Sequence, residues 1–308
     1  MTRVASIDIG SNSMHLCVAD IAPTGDWKIV EVLRSSIQLG RVNPAAPKAL
    51  EKQAMEDAIG ALSGFSGRAS LLHADHCVAA ATAAIREADN QHEFVELFAT
   101  QLGFPLRVLS GIEEAAIVYR GTRRHLEGHV LLFDLGGRST ELIWGSRSTP
   151  DVCLSIPMGH LGLKAHIPYE HPCSDEHWQE LMDHARQCVS DIRDFNSSPH
   201  QLTSPSGAVR TLARMAACAR GDSPEGRGEG LALHRQELDS LIAQLRATPT
   251  LHLSNIPGID ERRSETLLSS AAIVQALMQR FSKESIYAAP GGLREGLIQE
   301  WADGQKER

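Results

Sequence analysis

The stretch Ser6–Val18, SIDIGSNSMHLCV, returns later in the chain as Leu132–Trp144, LFDLGGRSTELIW. Aligned without gaps, Asp8 falls on Asp134, Gly10 on Gly136, Ser13 on Ser139 and Leu16 on Leu142. Each copy reads as an apolar strand ending in Asp, a glycine-bearing turn, and a second strand. A repeat at constant offset points to one supersecondary unit used twice. The chemistry of each copy is coherent. A tight turn with glycine lets backbone N–H groups point into one concavity. Ser, Thr and Asn add neutral donors, and an Asp at the strand end supplies a hard oxygen for Mg2+ or its bound water. One such hairpin needs no ligand; two matched copies predict a grip on phosphates.

Outward from the first copy, His15–Ile21 and Lys28–Leu33 continue a meander. Ala46–Leu62 has helical spacing, with Leu50, Ala54, Ala58 and Leu62 on one face. Strand His76–Ala81, helix Gln91–Leu102, strand Leu106–Leu109 and helix Glu113–Tyr119 follow. After Gly121 the cycle restarts with strands His129–Phe133, Thr140–Trp144 and Val152–Ile156. Helices are predicted over Asp175–Phe195, Ala208–Ala217, Arg235–Leu245, Glu261–Arg280 and Leu293–Trp301, with Gly221–Gly230 an exposed loop. The alternation is that of an α/β protein, divided into residues 1–121 and 122–308.

The 308 residues are 42% apolar and 22% charged, which suits a globular protein with one or two cores. A net charge of −8 argues against a general nucleic-acid binder. A polyanion site on such a chain must concentrate its positive potential locally. No apolar run reaches the roughly 20 residues that span a bilayer, and no basic-then-apolar leader precedes Val4. The six cysteines are scattered without a CxxC pair, as in reduced cytoplasmic proteins. His73, His76 and Cys77 lie close together, but no second cluster at zinc spacing accompanies them.

Four further segments carry chemistry. In TAAIR, Arg86 offers a planar, permanently charged fork for phosphate oxygens. In SGIEEAAIVYRG, Glu113 and Glu114 sit in the first turn of a helix, where one can orient water and either also suits the helix dipole. SPSGAVRTL and APGGLREG are glycine-bearing turns that open helices, and so candidate anion sites. His160 lies in the turn PMGHLG.

Taken together, DIGSNSMHL, TAAIREADN, LSGIEEA, DLGGRSTEL, IPMGHLGL, SGAVRTLA and GGLREGL occur in order over residues 4–298. This set resembles the exopolyphosphatase/guanosine pentaphosphate phosphohydrolase (Ppx/GppA) family in its short, two-domain form. The resemblance implies the actin-like ATPase fold, with two ribonuclease-H-like lobes around a cleft. It implies a phosphohydrolase dependent on Mg2+, with K+ as a stimulating cation, acting on polyphosphate or a guanosine polyphosphate as a homodimer. Carried over by position, Glu114 is the general base, Arg86 binds phosphate, and Asp134 lies near the metal and the attacking water. Asn12, Ser13, Gly136, Gly137, Arg138, Ser139, Ser206 and Gly207 match phosphate-loop positions, and Asp134, Asp8 and Glu141 are the metal candidates. Arg138 stands where the family usually has a third glycine, and Ala208 where threonine is common.

The lack of an aromatic base-stacking cluster leans the expected substrate towards polyphosphate over guanosine pentaphosphate. Two rivals differ in class: an ATP-dependent phosphotransferase of the same fold, and a non-catalytic sensor of guanosine tetraphosphate or polyphosphate.

Overall fold

The computed structural model describes residues 1–40, 48–192, 201–224, 226 and 228–306. The chain divides into two compact units, Met1–Arg124 with Gly291–Arg308, and His125–Pro290.

In the first unit, β1 (Thr2–Ile9), β2 (Met14–Ile21), β3 (Trp27–Ser35), β4 (His76–Ala81) and β5 (Leu106–Val108) form one sheet in the order β3-β2-β1-β4-β5. The first three strands are antiparallel, and β1, β4 and β5 are parallel. One face carries Ala5, Ile7, Ile9, Leu16 and Val18 into a core shared with helix Lys52–Leu71. That helix offers Met55, Ile59, Leu62 and Phe65 at the spacing that keeps one stripe inward. Burying each such side chain contributes about 1.5–3 kcal/mol. On the other face, Val4, Cys17, Ala19 and Ile21 meet Ile298 and Ala302 of helix Leu293–Lys306.

In the second unit, β6 (Val130–Leu135), β7 (Thr140–Gly145), β8 (Val152–Ile156), β9 (Gln201–Ser204), β10 (Ala232–His234) and β11 (Ser285–Ala288) are ordered β10-β11-β9-β6-β7-β8. β6, β7 and β8 are an antiparallel meander, while β6, β9 and β11 are parallel. Without the β10 edge, the order is that of the first sheet. The ribonuclease-H-like topology is thus duplicated, giving the expected actin-like α/β fold. Helix Leu267–Arg280 is buried on nearly every side and forms the spine of this unit's core.

Several element boundaries differ from expectation. The first helix begins at Lys52 rather than Ala46, because the Leu50 backbone is held by the Asn90 side chain (2.8 and 3.1 Å) instead of a helical turn. Residues 46–47 and 193–195 of the expected helices lie outside the described residues, as do 225 and 227 of the expected loop. The span Glu261–Arg280 is a 3₁₀ turn, Glu261–Thr266, followed by the helix. Asp260 caps that turn by accepting from the Arg262 amide. The largest difference is at the C-terminal end, where Gly291–Arg308 packs with the first unit, not the second. Among the described residues no helix is long and apolar enough to cross a membrane, and all six cysteines are free thiols.

Candidate active site

The two copies of the hairpin fold alike. Asp8 pairs across the ladder with His15, and Asp134 with Glu141. The Gly10 amide donates to Ser13 O (3.1 Å), and the Gly136 amide to Ser139 O (3.0 Å). A Cβ at Gly10 would lie 2.9 Å from Ser13 O, and one at Gly136 would lie 3.1 Å from Ser139 O. Close approach, not a left-handed backbone, is what favours glycine there. Ser11, Asn12 and Ser13 are buried. The Gly40 amide holds Ser11 O (2.7 Å), and Gln38 Nε2 donates to Asn12 Oδ1 (3.2 Å).

Beside the first hairpin, β4 is followed by Thr82, whose amide donates to Ile9 O (3.2 Å). A single helical turn, Ala83–Arg86, then aims Arg86 at helix Gly111–Arg123. Arg86 Nη1 donates to Leu109 O and to Glu114 Oε2, both at 2.8 Å. Glu113 and Glu114 have separate tasks. The Ser110 amide donates to Glu113 Oε2 (2.8 Å), and Ser110 Oγ accepts from the Glu113 amide (3.2 Å), which makes a capping box. Those bonds to Ser110 hold the Glu113 carboxyl below its usual range. Glu113 is exposed, whereas Glu114 is buried against Arg86.

In the second unit, the turn Gly136–Ser139 is braced from behind by Gly159–Gly162. The His160 amide donates to Gly136 O (3.1 Å), and the Leu161 and Gly162 amides donate to Gly137 O (2.8 and 3.0 Å). In a trans peptide the carbonyl and the following N–H point in opposite directions. Pinning these two carbonyls therefore turns the Gly137 and Arg138 N–H groups away from the brace, in the pattern that binds anions. No residue of this turn has positive φ, so Arg138 fits the third-glycine position without backbone strain. His160 is 1% exposed, its Nδ1 has no hydrogen-bond partner among the described residues, and burial with the Arg263 charge pushes its pKa down to about 3. It is thus a neutral core group, not a proton carrier. A methyl at Gly159 would overlap the Gly137 carbonyl and the Arg138 amide. Gly159→Ala is expected to cost about 1–3 kcal/mol by overpacking. Its phosphate release should fall with its Tm; unchanged values of both would show that the turn is not pinned this way.

Asp134 and Glu141 are opposite one another on adjacent strands, and Glu141 Oε1 accepts from Ser155 Oγ (2.9 Å). Among the described residues no group of three His, Cys, Asp or Glu is arranged to hold a metal. Two neighbouring carboxylates fit Mg2+, which keeps several waters and takes its other ligands from substrate phosphates. In the first unit the matching partner of Asp8 is His15, with Nδ1 3.4 Å from Asp8 Oδ2. The paired carboxylates therefore belong to the second hairpin only.

Ser206 and Gly207 begin helix Gly207–Ala219, with Ser204 Oγ accepting from the Ser206 amide (3.2 Å). The Arg263 guanidinium lies where a Cβ at Gly207 would stand. Sequence reading does not single out Arg263: it lies in ERRSE, which has no distinguishing pattern. APGGLREG, expected as an anion turn, is instead packed against Gly121, and a methyl at that glycine would overlap Gly292 O and Gly296 N.

The sequence profile of the Ppx/GppA phosphatase family matches residues 17–305. The chain belongs to the Ppx/GppA phosphatase family. Exopolyphosphatase 1 of Mycobacterium leprae is 27% identical over 302 residues, 96% of this chain and 88% of that protein. The crystal structure of the Aquifex aeolicus Ppx/GppA family member superposes with a TM-score of 0.82 at 25% identity, covering 100% of this chain and 99% of that one. An exopolyphosphatase from Cytophaga hutchinsonii shares the fold, with a TM-score of 0.87 at 21% identity and 98% coverage of both chains. This Ppx/GppA protein is accordingly an enzyme, a phosphate-releasing hydrolase.

Proposed function

We propose that this enzyme is an exopolyphosphatase that removes the terminal orthophosphate of inorganic polyphosphate. The observation that carries the reading is Glu114, a buried carboxylate oriented by Arg86 while its neighbour Glu113 is committed to a helix cap. Glu114 accepts a proton from the attacking water. The water oxygen forms the new P–O bond, the anhydride P–O bond breaks, and its electron pair leaves on the shortened chain. In the first unit, Arg86 and the side chains of Asn12 and Ser13 supply donors for phosphate oxygens; in the second, Arg263, the Gly137 and Arg138 amides, and the side chains of Ser139 and Ser206 do so. Mg2+ held by Asp134 and Glu141 supplies further charge neutralisation when bound. The exopolyphosphatases among the relatives support the choice of substrate.

The test is phosphate release with Mg2+ from long polyphosphate, tripolyphosphate, guanosine pentaphosphate and ATP in parallel. The highest kcat/KM is expected on long polyphosphate. A preference for guanosine pentaphosphate of about tenfold, or 1.4 kcal/mol, would overturn the substrate assignment. Tight binding of polyphosphate without release would overturn the hydrolytic one.

A further inference from the structure

Ser6 and Asp8 share one face of β1, and their ladder partners Cys17 and His15 share that face on β2. This is the face that helix Leu293–Lys306 covers. At the start of that helix, Arg294 is held by two hydrogen bonds and is largely buried. Ser6 Oγ donates to its carbonyl (2.8 Å), and its Nε donates to Glu295 Oε1 (2.7 Å). Glu295 is 4% exposed, and its Oε2 has no hydrogen-bond partner among the described residues. A buried carboxylate with one oxygen unsatisfied is costly to keep.

The same segment grips the helix that carries Glu114. A methyl at Gly296 would overlap Ile117 O, and one at Gly121 would overlap Gly292 O. Gly291 lies with φ +94° against Gly121 O. The two helices thus meet backbone to backbone at these glycines, with the Ile117 side chain alongside Gly296.

We propose that Gly291–Gly296 is a positioning clip for the acidic groups of the first unit, with Arg294 seated on the Asp8 face of the sheet and Gly296 on the Glu114 helix. The inference rests on Glu114 being the base. Arg294 is a positioning residue: Ser6, on the face that Asp8 shares, holds its carbonyl, and Glu295 holds its guanidinium. A shift of about 1 Å in a reacting group is enough to cost roughly 100-fold in rate.

The test compares Glu295→Gln, Arg294→Met with Glu295→Gln, and Arg294→Lys in the full chain. Glu295→Gln leaves Arg294 buried without its counter-charge and should show the largest loss of Tm. The double variant removes both charges and should recover most of that loss. All three should lower kcat on polyphosphate by about tenfold or more with KM within about twofold, because the loss is in positioning and not in binding. Hydrogen exchange should quicken at the Gly10 amide and through Gly111–Arg123. Arg294→Lys keeps the charge, so it provides the comparison if the double variant does not fold. Wild-type kcat and wild-type exchange in Arg294→Lys, or in a folded double variant, would overturn the clip. If the wild-type protein releases no phosphate from polyphosphate, the functional reading fails instead, and the exchange data still decide whether the clip exists.

Discussion

Glu114→Gln is expected to lower kcat for phosphate release by about 100-fold or more, while Glu113→Gln stays within about threefold of wild type. The two residues are adjacent and chemically identical, so the contrast isolates placement. Glu113 spends its carboxylate on the Ser110 amide. Glutamine can take over that acceptor role, and the lost charge at an exposed helix start is worth only about 0.3–1 kcal/mol. Glu114 receives Arg86 Nη1 at 2.8 Å and is buried. Its amide counterpart can still accept from Arg86 but cannot take a proton from water. Circular dichroism should show both variants folded. Equal losses in the two, or the larger loss in Glu113→Gln, would remove Glu114 from the reaction.

The hairpins were legible because strand, Asp, glycine turn and strand are all local patterns, and the register Asp8–His15 repeats as Asp134–Glu141. The capping box was legible too: Ser110-x-x-Glu113 is its signature, and reading it would have separated the two glutamates beforehand. β9, β10 and β11 were not legible, since four, three and four residues are too short for an alternation to emerge. GGLREG predicts a turn and a helix, but the chain's glycines do not say which backbone they must admit. The answer, Gly121, lies far away in sequence. Arg263 was missed for a related reason, because its place at Gly207 is a tertiary fact. The brace behind Gly136–Ser139 likewise depends on three amides whose partners only the folded chain supplies.

Asp8→Asn is expected to stabilise the metal-free protein above pH 7, by up to about 4 kcal/mol, and to change little at pH 4. Burial pushes the Asp8 carboxyl from 3.8 up to about 7, with Arg294 opposing and Glu295 reinforcing the shift. His15 on β2 faces the same carboxylate. Between those values the unfolded chain has released the proton that the folded chain keeps. Stability therefore falls as pH rises through this window, and the full cost is present above 7. The figure is an upper limit, because the Asp8 side chain remains 16% exposed. His160 acts in the opposite sense. Its pKa is depressed from 6.5 to about 3, so the unfolded chain binds the extra proton and stability is lost as pH falls through that range. From about pH 4 to 6.5 the two slopes oppose each other. Wild type should thus be flatter there than Asp8→Asn, whose stability should climb with pH once the Asp8 contribution is gone. Urea midpoints in EDTA from pH 4 to 8 measure both effects. A difference between Asp8→Asn and wild type that is the same at pH 4 and pH 8 would mean the carboxyl is not held protonated, and that solvent reaches it freely beneath the helix that begins with Arg294 and Glu295.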